Sequence, residues 1–400
     1  MTTGSTGEPR KDRVRVGTGT SEADEAAVAG RAAAEAALAG LAGEPAALVL
    51  VYASVRYDLA DLLAGVRSVS GAAPLLGSTT SGHFCDGEVT RPGRGVAVLA
   101  LTAGPYRYGV ASVAGLRADG RAAGRTLARA AKEAASGGGA PYSALMVLAD
   151  GLAGNQHDLL NGLHKVTGAA VPVVGGAAGD DRQLSRTSVF DGDRVLTDGA
   201  VAVWIDSPWP LPVVARHGWS PVSLPLLVTK VDGPIVHEIA GRPAEAVFRE
   251  HFRDHELDQE LGWVRRPGYH SAHAFGLIEP DGSLLIRGAY LDDEGVLRTF
   301  CPLPTYAPVQ IVSCTPDDLL EVTEPVVREV TAGRDASVVL AFSCVARLDV
   351  LRDRGPEEAE RLQAAAGPAT STFGFYTYGE VARVNSVTGY HNATLAAVAL

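Results

Sequence analysis

The chain is partly a copy of itself. Sliding it by 97 positions aligns Ala47–Ala73 with Ala144–Ala170 without a gap, so that DLLAGVRSVSGAA (Asp61–Ala73) faces DLLNGLHKVTGAA (Asp158–Ala170). One inserted residue later, PLLGSTTSG (Pro74–Gly82) faces PVVGGAAGD (Pro172–Asp180). A duplicated unit must fold the same way twice, which restricts the architecture more than any single motif does. Each copy reads as an apolar strand (LVLVYA or LMVLAD), a polar loop, an amphipathic helix and a short apolar strand ending in glycine. That is a βαβ unit, with parallel, buried strands and a right-handed crossover.

The segments around the copies fit the same scheme. Residues 1–12 are polar and small and read as a disordered tail. Val14–Gly17 is a candidate first strand, and Ser21-Glu-Ala-Asp24 has the spacing of a helix capping box before an Ala-rich helix that runs to about Leu41. Gly95–Leu101 and Val195–Ile205 read as strands, the second reached through an Asp191-Gly-Asp193 hairpin turn. Beyond Trp209-Pro-Leu-Pro212 the rhythm changes, the Pro-containing stretch Ser220–Pro225 is a candidate boundary, and a helix near Ala244–Phe252 and strands at Ala274–Ile278 and Ser283–Gly288 follow. A last strand–helix–strand pass runs from Ser337 to Tyr376 and is a candidate third, diverged copy. The expectation is a mixed α/β fold of two domains, residues 13–222 on a mixed sheet built by duplication and a smaller α/β domain at 223–400.

Composition removes several classes of function. The net charge of −11 comes without a basic block that could neutralise a row of phosphates, which argues against nucleic acid. No apolar run has the length of a membrane span, and the polar N-terminus MTTGSTGEPRKDR has no secretory pattern, so a cytoplasmic, membrane-free protein is expected. Cys85, Cys301, Cys314 and Cys344 form no C-x-x-C pair and read as free thiols. His251 and His255 have helical i, i+4 spacing but no H-E-x-x-H pattern, and His270 with His273 is a weak metal signal, so no metal site is expected.

Small residues cluster at the strand ends of both copies, where open α/β sheets bind ligands. Gly175, Gly176, Gly179 and Asp180 are therefore candidate pocket residues, with tight packing as the alternative. Asp150, directly after an apolar strand, either holds a ligand amine or caps a turn. In FSCVAR, Cys344 and Arg347 follow a buried strand, and Gly379, Glu380, His391 and Asn392 come soon after. Arg347 and Glu380 are placed to clamp a ligand or to bridge each other. A Cys344–His391–Asn392 nucleophile set is a further possibility, although neighbouring strand residues point to opposite faces.

The motifs DGLAGNQHDLLNGL, PVVGGAAGDD and VFDGDRVLTDGAVAVWI resemble the N-terminal domain of the FIST family (F-box and intracellular signal transduction). FSCVAR, GFYTYGE and YHNATLAAVAL resemble its C-terminal partner domain. The resemblance implies a sensory module that binds a small ligand, such as an amino acid, between its two parts and signals through a partner. Some bacterial members resemble haem-dependent nitric oxide sensors acting on a histidine kinase. That implies haem as a possible cofactor here, with His391 as the candidate axial ligand.

Overall fold

The computed structural model describes residues 13–135, 140–154, 156–251, 272–292, 294–382 and 389–400. The first repeat contains β1 (Val16–Ser21), α1 (Ala26–Ala39), β2 (Leu48–Ala53), α2 (Leu59–Ser70), β3 (Leu75–Thr79), β4 (His83–Cys85), β5 (Glu88–Thr90) and β6 (Val96–Leu101). The second has the same order in β7 (Arg107–Ala114), α3 (Leu116–Ala135), β8 (Tyr142–Ala149), α4 (Gln156–Thr167), β9 (Val173–Ala177), β10 (Val189–Asp191), β11 (Arg194–Leu196) and β12 (Gly199–Ser207).

A third repeat follows, opened by a large insertion. It starts with β13 (Val213–Arg216) and resumes with α6 (Pro316–Glu321), α7 (Thr323–Val330), β22 (Val338–Cys344), α8 (Val345–Leu351), α9 (Gly355–Ala366), β23 (Ser371–Thr377), β24 (Glu380–Ala382), β25 (Tyr390–His391) and β26 (Leu395–Ala399). Between β13 and α6 the chain forms eight antiparallel strands: β14 (Ser220–Pro221), β15 (Leu226–Asp232), β16 (Ile235–Ile239), β17 (Arg242–Pro243), β18 (His273–Ile278), β19 (Leu284–Leu291), β20 (Leu297–Thr299) and β21 (Pro308–Ser313). The helix α5 (Ala244–Arg249) follows β17. Because β18 pairs with both β19 and β21, the path β21-β15-β16-β20-β19-β18 closes into a small barrel. Its core includes Val228, Phe248, Phe275 and Ile311.

The three repeats exchange strands. In order, the sheets run β1-β6-β2-β3-β10-β11, then β7-β12-β8-β9-β24-β25, then β13-β26-β22-β23-β4-β5. In each, a parallel pair is extended on one side by antiparallel strands of its own repeat and on the other by the hairpin of another repeat. The hairpin β4–β5 of the first repeat thus completes the sheet of the third. The N-terminal and C-terminal parts are interleaved, and the third, diverged βαβ pass is present with its strands parallel.

The inner faces of the three sheets meet in one core that contains Leu50, Tyr52, Met146, Leu148, Leu340 and Phe342. The outer faces are covered by helix pairs, as where Val49 and Val51 pack with Ala33 and Leu62. Tyr52 stacks on Phe373 with ring centroids 5.0 Å apart, joining the first sheet to the third.

Equivalent positions can be fixed by register. Gly77 lies between Val51 and Phe190, Gly175 between Val147 and Val381, and Gly374 between Ala341 and Phe84. A Cβ at any of the three would approach the neighbouring carbonyl oxygen to 2.0, 1.8 and 2.0 Å respectively. This equivalence corrects the gapless shift of 97. Leu48 and Ala144 both face the common core, a shift of 96, whereas Leu76 and Val174 both face it at the shift of 98 expected after the inserted residue. Only the helices between them match at 97, since Leu62 and Leu159 are both buried there. A one-residue slip in a strand turns every side chain to the other face, so the shift of 97 cannot hold along β2.

Two local expectations also change. Ser21 ends β1, its hydroxyl accepts from the Ala23 N–H at 3.3 Å, and α1 starts behind Glu25 without a side-chain cap. His251 lies past the end of α5 with Nδ1 3.0 Å from the Val247 carbonyl, whereas His255 and His270 lie outside the described residues. Among the described residues no helix is long and apolar enough to cross a membrane, and no three His, Cys, Asp or Glu side chains are grouped to hold a metal.

Candidate functional site

The register that equates Val51, Val147 and Ala341 also equates the residues at the ends of β2, β8 and β22, which are Ser54, Asp150 and Cys344. A shared hydrogen bond confirms it: Ser54 N–H donates to the Gly95 carbonyl at 3.0 Å, Asp150 N–H to Gly199 at 2.9 Å and Cys344 N–H to Thr394 at 3.0 Å. One framework therefore presents three equivalent niches with three different side chains.

Two of these niches are filled by the connection from β9 to β10, residues 178–188, which is longer than its counterparts at 80–82 and 378–379. In the first niche, Asp181 accepts from the Ser54 hydroxyl at 2.6 Å, Val55 N–H at 3.0 Å and Gly93 N–H at 2.7 Å. In the second, the Asp150 carboxylate accepts from Leu152 N–H at 2.9 Å, Asp198 N–H at 2.5 Å and the Thr187 hydroxyl. The connection is held by Asp180, which accepts from the N–H groups of Leu184, Ser185 and Arg186 and from the Tyr378 hydroxyl. Those bonds hold Asp181, Arg182 and Leu184 at φ values of 52°, 68° and 52°, a left-handed backbone that side chains ordinarily avoid.

The third niche opens into a cavity of about 570 Å³. Its walls come from three parts of the chain. Leu152, Gln156 and His157 belong to the second repeat, with Arg182 and Leu184 from the strained connection. Pro234, Phe300, Cys301 and Pro302 belong to the barrel, and Cys344, Ala346, Asp349, Tyr378, Tyr390 and Asn392 to the third repeat. The lining is mainly apolar, and its charges, Arg182 and Asp349, form a buried ion pair with each other. Asn392 is 4% exposed, and its Oδ1 has no hydrogen-bond partner among the described residues.

Behind Cys344 lies a buried carboxyl. Glu380 accepts from the hydroxyl of Thr377, the β23 partner of Cys344, and from Thr394 N–H at 3.2 Å, while the Thr394 carbonyl receives Cys344 N–H. Burial pushes the Glu380 carboxyl up to about 8, against hydrogen bonds that lower it. Burial likewise raises the Cys344 thiol well above its ordinary range, with the Glu380 charge adding to the shift. The four cysteines are free and buried.

The remaining candidate residues have other duties. Gly175, Gly176 and Gly179 are packing positions, where a Cβ would meet the Val147 carbonyl, the Thr377 side chain and Ser81 respectively. Gly379 leaves room for the Tyr390 hydroxyl, which would lie 2.1 Å from a Cβ there. Arg347 does not bridge Glu380: it is fully buried, pairs with Glu358 at 2.6 Å and donates to the Leu319 carbonyl at 2.8 Å, away from the cavity wall. His391 has Nε2 2.8 Å from the Ala382 carbonyl and is not in the cavity wall, so neither a Cys344–His391 pair nor an axial-ligand role fits it. Burial lowers it to about 4 and the cavity imidazole of His157 also to about 4. Cys344 and Asn392 are brought together at the cavity, with Glu380 behind. The barrel residues and Leu184 carried no signal in the sequence, whereas Tyr378 lay within the recognisable GFYTYGE motif.

Comparison with known proteins agrees with the motifs. The FIST N domain model matches residues 47–242 and the FIST C domain model residues 250–383. An uncharacterized protein of Methanocaldococcus jannaschii is 25% identical over 124 residues, covering 30% of this chain and 24% of that protein. An uncharacterized protein of Mycobacterium tuberculosis is 37% identical over 78 residues, 20% of each chain. The chain thus spans about a fifth to a quarter of the length of the curated relatives it matches. Among solved structures, a chorismatase aligns over 97% of this chain and 99% of its own with 11% identity and a TM-score of 0.36. A cyanuric acid hydrolase from A. caulinodans aligns over 96% and 99% with the same identity and score. With both domain models matched in order, the chain belongs to the FIST family, whose domains are associated with signal transduction and small-ligand sensing.

Proposed function

We propose that this protein is a sensor that binds a small, uncharged, largely apolar ligand in the cavity between the barrel and the three-repeat body. The observation that carries the reading is the composition of that cavity, with walls from three separate segments around about 570 Å³, within the usual range for small-molecule sites. Leu152, Leu184, Phe300 and Pro302 supply apolar contact. An amino acid would have to part the buried Arg182–Asp349 pair to satisfy its own charges, and breaking such a pair is costly. An uncharged ligand has no such requirement. A ligand touching both barrel and body favours one relative position of the two, and a partner protein such as a histidine kinase would read that change.

A thermal-shift screen tests the proposal, because a ligand that binds only the folded state raises the apparent stability. Uncharged apolar metabolites should raise the midpoint in a concentration-dependent way, with amino acids weaker. Ala346→Trp, which fills the cavity, should abolish the rise. A rise that survives Ala346→Trp would place the ligand elsewhere.

A further inference from the structure

The duplication contains its own control for surface charge. Gly30 and Gly124 are equivalent, since a Cβ at each would lie 2.2 Å from the carbonyl oxygen of Leu62 and of Leu159 respectively. Ala27 and Arg121 are equivalent by the same test, their carbonyl oxygens lying 2.2 and 2.3 Å from a Cβ at Gly65 and Gly162. Helix α3 therefore matches α1 at a shift of 94, and the inward faces agree, with Ala33 and Ala34 buried in α1 where Leu127 and Ala128 are buried in α3. The outward faces do not agree. Arg121, Arg125, Arg129 and Lys132 of α3, all exposed, stand where α1 has Ala27, Arg31, Glu35 and Leu38. Four cations replace one cation and one anion on the same scaffold.

Helical geometry puts the four in one row, residues four apart being neighbours about 6 Å from each other along the axis. At the ends of the row, Arg121 Nε lies 2.7 Å from Asp158 and Lys132 Nζ lies 5.4 Å from the centre of the Trp204 ring. Arg125 and Arg129, in the middle, form no ion pair among the described residues. Like charges at this spacing repel each other, and α1 packs in the same way without them. From this row we infer that the exposed face of α3 docks an acidic helix of a partner protein, with Arg125 and Arg129 at the centre of the contact. A helix with carboxylates four residues apart repeats the spacing of about 6 Å, and each guanidinium takes a carboxylate through two parallel hydrogen bonds. Larger polyanions match the face poorly. A nucleic-acid duplex or an anionic bilayer extends far past the row and meets the repulsion of a chain with a net charge of −11. The apolar residues Leu127, Ala128 and Ala131 are buried, so they offer nothing to insert into a bilayer. The row is separate from the cavity, whose wall contains none of its four residues.

A stapled peptide of about 20 residues, long enough to stay helical and with glutamate at every fourth position, tests this against the full-length protein by titration calorimetry. It should bind wild type. Arg125→Glu combined with Arg129→Glu, with an unchanged unfolding midpoint, should weaken that binding about tenfold. Arg31→Glu, at the position of α1 equivalent to Arg125, should leave it unchanged. A peptide of the same composition with its glutamates bunched at one end should bind wild type about as weakly as the spaced peptide binds the doubly reversed variant. No binding of the spaced peptide to wild type, or equal binding to the doubly reversed variant, would overturn the inference. Equal binding of the spaced and bunched peptides would also overturn it, reducing the row to unspecific attraction. Tighter binding of duplex DNA or of phosphatidylserine vesicles, lost in the same variant, would overturn it in favour of a nucleic-acid or membrane contact.

Discussion

The strand ends of the second and third repeats occupy the same place in the same framework and do opposite things. At Asp150, three donors converge on one carboxylate and tie the end of β8 to the connection behind it. At Cys344 the corresponding space is open, and the carboxyl of that niche, Glu380, is set back one layer. The difference arises from one long connection and one insertion. Residues 178–188 fill the first two niches, and the barrel inserted after β13 roofs the third without filling it. Duplication thus supplied three equal scaffolds, and unequal loops left one of them as a binding site.

The largest effect should come from beneath the third niche. Glu358→Ala leaves Arg347 buried without its partner and should lower unfolding free energy by about 3–5 kcal/mol in urea titration. A loss below 1 kcal/mol would show that the ion pair does not support that niche. Next, Asp150→Ala should cost about 3 kcal/mol because the hydrogen bonds from Leu152, Asp198 and Thr187 to one carboxylate are lost together. The counterpart Cys344→Ala should cost about 1 kcal/mol, a small deletion at a cavity wall. Equal losses would erase the distinction between a structural and an open strand end.

Alanine at Gly77, Gly175 or Gly374 should destabilise by comparable amounts, about 1–3 kcal/mol each, since every Cβ meets the same carbonyl. Tolerance at one of them would break the threefold equivalence. Stability should also depend on pH. Glu380 is raised from 4.5 to about 8, so its contribution is fully present below pH 4.5 and is lost as pH rises through 8. His157 and His391 are lowered from 6.5 to about 4, so their contributions are present above pH 6.5 and lost as pH falls through 4. Glu380→Gln should remove the loss of stability between pH 4.5 and 8 and leave the profile below pH 4.5 unchanged. An unaltered slope between pH 6.5 and 8 would mean that another group titrates there.

The sequence disclosed the repeated unit but not its exact register. The helices Leu59–Ser70 and Gln156–Thr167 have a clear amphipathic pattern and align correctly. The strands LVLVYA and LMVLAD are buried on both faces, so no alternation of polar and apolar residues marks which side chain points inward. The shift of 97 inherited from the helices therefore put Ala53, not Ser54, opposite Asp150. Cys344 and Asn392 were legible as part of family-like motifs, whereas the opposite wall, Phe300 to Pro302, comes from an insertion with no counterpart in the repeats. Arg347 illustrates the limit from the other side: a guanidinium at a strand end suggests a ligand clamp, and only the fold reveals Glu358 beneath it.

The central claim is that one of three equivalent strand ends is a ligand site. Crystals soaked in 1-butanol and analysed by diffraction test it most directly. The account predicts ordered butanol among Leu184, Phe300 and Cys344 and none beside Ser54 or Asp150. Butanol at either of those two positions, or an empty cavity at Cys344, would contradict it.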